Sequence, residues 1–265
     1  MFTVITKSLF VNSKRLNNKD NVKQEISGIK KVNTQYRNKK NNINIFFNNS
    51  FFIESPSLID KSLQDSILYE KRFSRDKKSH LKFALANESN FILDDENQIN
   101  EIDKIIKIIS EIINGRIVVD DFQGVLYEKN GQEINIDNVA LGIKGFGLIQ
   151  LLLKNNQLNS RTLLIIDEPE IHLHPNWQVL YAEILVLLSK KLEIPILLTS
   201  HSPYFIEALK AFSEKYEFEE KTNFYFSQKS KDNLSAKIID VSNDISPILM
   251  SISEAYFKIS DIENE

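Results

Sequence analysis

Cysteine is absent from these 265 residues, which excludes disulfides, thiolate zinc sites and cysteine nucleophiles together and makes a cytoplasmic setting the expectation. Charge of one sign is lacking too: 33 basic and 36 acidic residues are interspersed and leave a net charge of -3. No basic field advertises nucleic acid or an anionic membrane, so a nucleic-acid partner stays open but has no support in the composition. The longest apolar runs, such as Leu163 to Ile166 and Ile194 to Leu198, fall far short of the ~20 residues of a membrane helix, and no membrane is expected. Met1 to Phe10 lack the basic start, continuous apolar stretch and small-residue cleavage site of a signal peptide. Glycine is scarce: there are seven, and only Gly28 lies before Gly115. A loop of the form Gly-x-x-x-x-Gly-Lys-Ser/Thr, whose amides and lysine cradle phosphates, cannot be written anywhere in the chain.

What is present is 42% hydrophobic, enough for one large or two small domains, and it is unevenly organised. Between Val11 and Ser50 eleven asparagines stand among many lysines with few large apolar residues, the least core-like part of the chain. We expect a polar segment over 1–45, a helical region with an antiparallel ribbon over 46–138, and an α/β core over 139–265. Ile45-Phe46-Phe47 and Phe51-Phe52-Ile53 read as strand material ending at Pro56, with Ser57 capping a helix through about Glu70. Isoleucines at 99, 102, 105, 106, 109, 112 and 113 recur at helical spacing, with Gly115 as the expected stop. Arg116 to Phe122, Gly124 to Lys129 and Gln132 to Ile136 read as strands, the last two joined by the two-residue turn Asn130-Gly131.

Beyond the ribbon, short apolar strands alternate with helices. Strands are expected over Thr162 to Asp167, Ile194 to Ser200, Thr222 to Ser227 and Ala236 to Val241. Helices start at Pro175 and Pro203, where a missing N–H is tolerated, and a last one runs roughly from Ile245 to Ile259. Apolar strands without alternation, each followed by a helix, predict an α/β fold with a mostly parallel sheet flanked by helices.

One segment carries chemistry. Leu163-Leu164-Ile165-Ile166-Asp167-Glu168 is a buried strand ending in two adjacent carboxylates, where ligands bind in an open parallel sheet. An aspartate there can hold magnesium, and the following glutamate can deprotonate an attacking water. Two solvated acids at a strand end are the plainer alternative. His201, just past the next apolar strand, can place its ring near the same phosphate as a hydrogen-bond donor.

Asp167-Glu168-Pro169-Glu170-Ile171-His172-Leu173-His174-Pro175 resembles, through its length, the Walker B strand end and following loop of ABC/SMC-type P-loop ATPase heads. The resemblance is to the bacterial AAA-type ATP-binding proteins related to OLD-like defence ATPases. In the same frame Ile196-Leu197-Leu198-Thr199-Ser200-His201-Ser202-Pro203 resembles the family's next strand and switch histidine. Val139-Ala140-Leu141-Gly142-Ile143-Lys144-Gly145-Phe146-Gly147, placed ahead of an apolar helix through about Leu153, resembles its signature segment. The resemblance implies a magnesium ligand at Asp167, catalytic roles for Glu168 and His201, and nucleotide contacts from Gly142, Lys144 and Gly145 toward an opposite subunit. His174 falls at a position that meets the partner at the dimer seam. Leu141 stands where a serine is expected, which removes a hydroxyl contact. His172 and His174 also invite a zinc site, but residues two apart in a loop seldom converge on one ion.

The resemblance implies ATP and Mg2+ as ligands and a homodimer or loop-bearing partner chain. The missing phosphate loop has three explanations: a downstream product of a split gene, which we favour, a partner that supplies the loop, or a degenerate head kept for binding. ATP hydrolysis in a complemented head is the first functional expectation. A non-hydrolytic assembly module derived from such a head is the alternative.

Overall fold

A computed structural model of the chain describes residues 2–6, 47, 49–59, 77–89, 95–120, 123–229 and 236–263. Its elements in chain order are β1 (Phe2–Thr6), β2 (Asn49–Ile53), α1 (Lys77–Ala86), α2 (Glu96–Ile113), β3 (Arg116–Asp120), β4 (Gly124–Lys129), β5 (Gln132–Asn135) and α3 (Leu141–Lys154). There follow β6 (Thr162–Asp167), α4 (Pro175–Lys191), β7 (Ile196–Ser200), α5 (Pro203–Lys215), β8 (Thr222–Lys229), β9 (Ala236–Asp240) and α6 (Ser246–Glu263). Most of the asparagine-rich segment, Ile45 and Phe46, and the helix expected through Glu70 beyond the short 3-10 turn Pro56–Ile59 lie outside the described residues.

Six strands form the main sheet in the order β2-β6-β7-β1-β8-β9, and β3-β4-β5 form a small antiparallel sheet. The centre of the chemistry is parallel: β2 pairs with β6 and β6 with β7. The β6–α4–β7 unit is the crossover that such pairing requires. The fold is thus mixed α/β, a parallel three-strand sheet flanked by helices beside a small antiparallel sheet, consistent with a P-loop NTPase fold. The strand grammar did not foresee β1, which lies antiparallel to both of its neighbours, β7 and β8. β9 closes the sheet as an antiparallel edge on β8.

Local chemistry explains the boundaries. Asp95 caps α2 by accepting from the Asn97 amide. Asn114, not Gly115, takes the left-handed conformation that ends it (φ 53°). Gly115 is required for another reason: a Cβ there would meet the Glu128 carbonyl oxygen and the Tyr127 ring at 2.5 Å. The Asn130-Gly131 turn has φ of 51° and 76°, the double positive φ of a tight hairpin.

Leu164, Ile166, Ile196 and Leu198 from the central strands pack with Leu185 and Leu188 of α4 and Phe205 and Leu209 of α5 in one continuous core. The central strand ends are therefore anchored in a close-packed interior. Among the described residues no helix is long and apolar enough to cross a membrane.

Candidate functional site

β6 and β7 run in register so that Asp167 lies opposite Thr199 at the carboxyl ends of both strands. The Thr199 hydroxyl donates to Asp167 Oδ1. The Glu168 amide donates back to Thr199, to its carbonyl oxygen at 3.1 Å and its hydroxyl at 3.2 Å. One threonine therefore fixes both acids.

At Glu168 the backbone leaves the strand in the left-handed region, φ 47°. For a residue with a side chain this costs about 1–2 kcal/mol, and such outliers gather where geometry is imposed by the surroundings. The turn separates the directions of two adjacent carboxylates. Glu168 Oε1 lies 3.1 Å from His201 Nε2, with the glutamate side chain 30% and the histidine side chain 52% exposed. A pair this open to water adds about 0–1 kcal/mol of stability. Its interest is geometric, because it brings Glu168 and His201 together at an edge reachable from solvent, with Asp167 the last residue of the strand that leads into Glu168.

The loop after β6 is held by further residues that the sequence reading did not select. Glu170 is 6% exposed, and its Oε1 accepts from the Ser200 hydroxyl at 2.6 Å and from the amides of His201 at 2.7 Å and Ser202 at 3.2 Å. Ser202 caps α5 through the Phe205 amide and donates its hydroxyl to Gln178 Oε1 of α4. Gln178 Nε2 in turn donates to the Leu173 carbonyl. Ser, Thr and Glu flanking the strand-end acids were the available signal, but residues of these types are common in loops.

The signature-like segment forms a second group. The sequence reading places its glycines ahead of a helix, whereas α3 begins at Leu141, so Gly142, Lys144 and Gly145 all lie inside it. Apolar burial of Phe146, Leu148 and Ile149 overrides the poor helix propensity of glycine here. Gly142 abuts the loop after β6: an added Cβ would stand 3.1 Å from the Leu173 side chain and 3.4 Å from the His172 carbonyl oxygen. Gly145 is buried, and Lys144 is only 3% exposed, so its ammonium is almost wholly withdrawn from solvent.

Phe146 packs edge-on against Trp177 and Tyr181 of α4. Burial pushes the Tyr181 phenol above the usual tyrosine range, which keeps it a neutral donor toward the Gly145 carbonyl. His174 is exposed and caps α4, its Nδ1 accepting from the Asn176 amide at 3.3 Å. That bond directs Nε2 outward. His172 has a left-handed backbone, φ 68°, and is also exposed. Among the described residues no group of three or more metal-ligating side chains is found.

Among solved structures, the chain is similar to the Smc head domain with an extended coiled coil bound to the C-terminal domain of ScpA, from Pyrococcus furiosus. The identity is 13% and the TM-score 0.37, with 63% of this chain and 38% of that chain covered. The chain thus spans well under half the length of that protein. The family described as "AAA domain, putative AbiEii toxin, Type IV TA system" matches residues 13–207. With most of its length matched, and with a sheet whose central strands end in Asp167-Glu168 and Ser200-His201, the chain belongs to this family of AAA-type ATPase domains.

Proposed function

We propose that the chain provides the hydrolytic strand ends of an ATP-hydrolysing AAA head, while a phosphate-cradling loop is supplied from outside these 265 residues. The observation that carries this reading is the meeting of Glu168 with His201 at 3.1 Å beside Asp167, at the carboxyl ends of two adjacent parallel strands.

The residues fit a magnesium ion. Asp167 Oδ1 is oriented by Thr199, while Oδ2 takes no hydrogen bond among the described residues and offers one hard oxygen, the kind of ligand that cation prefers. When bound, Mg2+ neutralises charge on the β- and γ-phosphates. Glu168 then orients and deprotonates the water that attacks the terminal phosphate, and the exposed His201 ring donates to oxygen as charge develops on it. Of the four residues that the resemblance turns toward a second copy, only His174 is exposed and faces a partner subunit in this reading, while Gly142, Lys144 and Gly145 are buried. The division at 1–45, 46–138 and 139–265 and a cytoplasmic setting belong to the same proposal. A non-hydrolytic assembly module is the second reading, and the burial of Lys144 favours it.

The test is calorimetry with magnesium and ATP. The chain alone lacks glycine amides and a lysine to cradle the phosphates, so it should show no saturable binding below the millimolar range. Adding a polypeptide that carries a Gly-x-x-x-x-Gly-Lys-Ser/Thr loop, taken from the adjoining upstream coding sequence, should restore tight binding and turnover. Absence of both on mixing opposes the hydrolytic reading.

A further inference from the structure

Glu170 stands one turn beyond the proposed catalytic pair, buried, with a role that the strand-end chemistry does not use. Ser200, His201 and Ser202 form the turn by which β7 passes into α5, and all three donate to a single oxygen of its carboxylate. Two of these donors are successive backbone amides, so the turn makes a small anion-binding concavity at the positive end of α5. The chain fills that concavity with its own side chain. The other oxygen, Oε2, is buried and takes no hydrogen bond among the described residues. An ionised carboxylate oxygen suits three converging donors better than a neutral amide oxygen of the same shape, because charge-assisted bonds are about twice as strong as neutral ones.

We propose that Glu170 is the positioning residue for His201. Its carboxylate ties the loop after β6 to the turn after β7, holds the His201 amide, and thereby aims the ring at Glu168. The tie is separate from the Thr199–Asp167 bond one step earlier, so the two strand exits are clamped twice. The part of this inference that concerns turnover rests on the proposed ATPase reading. The part that concerns the turn does not.

The test has two arms. In the chain alone, amide hydrogen exchange is followed at His201 and Ser202 for the parent, Glu170→Gln and Glu170→Ala. Exchange at both amides should rise by about tenfold or more in Glu170→Ala, with Glu170→Gln between the two. In the complemented head, Glu170→Gln should lower kcat while leaving the KM for ATP within about twofold. In a His201→Ala background the same change should cost nothing further, because residues that act through one another are non-additive. Unchanged exchange at 201 and 202 overturns the clamp. An equal loss of kcat in both backgrounds overturns positioning through His201. A parent head that does not turn over ATP strikes the proposed function instead, and the exchange arm then decides this inference alone; Ser200→Ala, which removes one donor, serves if Glu170→Ala fails to fold.

Discussion

Thr199 shows how much of the site depends on a residue with no charge. Its hydroxyl donates to Asp167 and accepts from the Glu168 amide, so it orients the proposed magnesium ligand and pins the turn that aims the base. Thr199→Val keeps shape and volume but deletes both contacts. In the complemented head it should weaken magnesium affinity by about 10- to 100-fold, the usual cost of losing an outer partner of a metal ligand. A magnesium titration at fixed ATP measures this, and affinity within twofold of the parent would remove Thr199 from the site. That Asp167, Glu168 and His201 stand at strand ends was legible in the sequence, because an apolar run that gives way to polar residues marks where a strand stops. Thr199 and Glu170 were not, since what marks them is a contact between two strand exits, formed only once β6 and β7 lie side by side.

The elements were legible to different depths for identifiable reasons. α2 and the ribbon announced themselves through local signals: isoleucine periodicity in one, Asn130-Gly131 in the other. The stop of α2 was misread by one residue, because glycine at a helix end suggests a left-handed cap, whereas Asn114 takes that conformation and Gly115 makes room for β4. Gly115→Ala should therefore cost about 1–3 kcal/mol by overpacking, while Asn114→Gly should change stability by a few tenths of a kcal/mol. Urea denaturation of the two variants separates these roles, and equal effects would contradict them. α3 was placed too late because its glycines suggested a loop; its buried apolar face decided otherwise. β1 left no usable signal, since five residues near the start of the sequence pair with strands almost the whole chain away.

At the scale of the whole molecule, the parallel strands β2, β6 and β7 gather acids and a histidine at one end of the sheet, and the family match over 13–207 places this sheet among AAA-type ATPase domains. The parallel part, β2, β6 and β7, was readable from buried strands alternating with helices, although three of the five pairings in the sheet are antiparallel. The antiparallel insertion of β1 and the β8–β9 edge were not, because apolar strand composition carries no direction. The proposed hydrolytic function stands on the convergence of Glu168 and His201 beside Asp167, and the glutamate is the member whose chemistry can be removed without its shape. The decisive measurement is steady-state ATP turnover, with magnesium-ATP affinity, of the complemented head carrying Glu168→Gln beside its parent. We expect turnover to fall by about 10²- to 10⁴-fold, the usual contribution of a general base, with affinity nearly unchanged; turnover at the parent rate would show that this strand end is not catalytic.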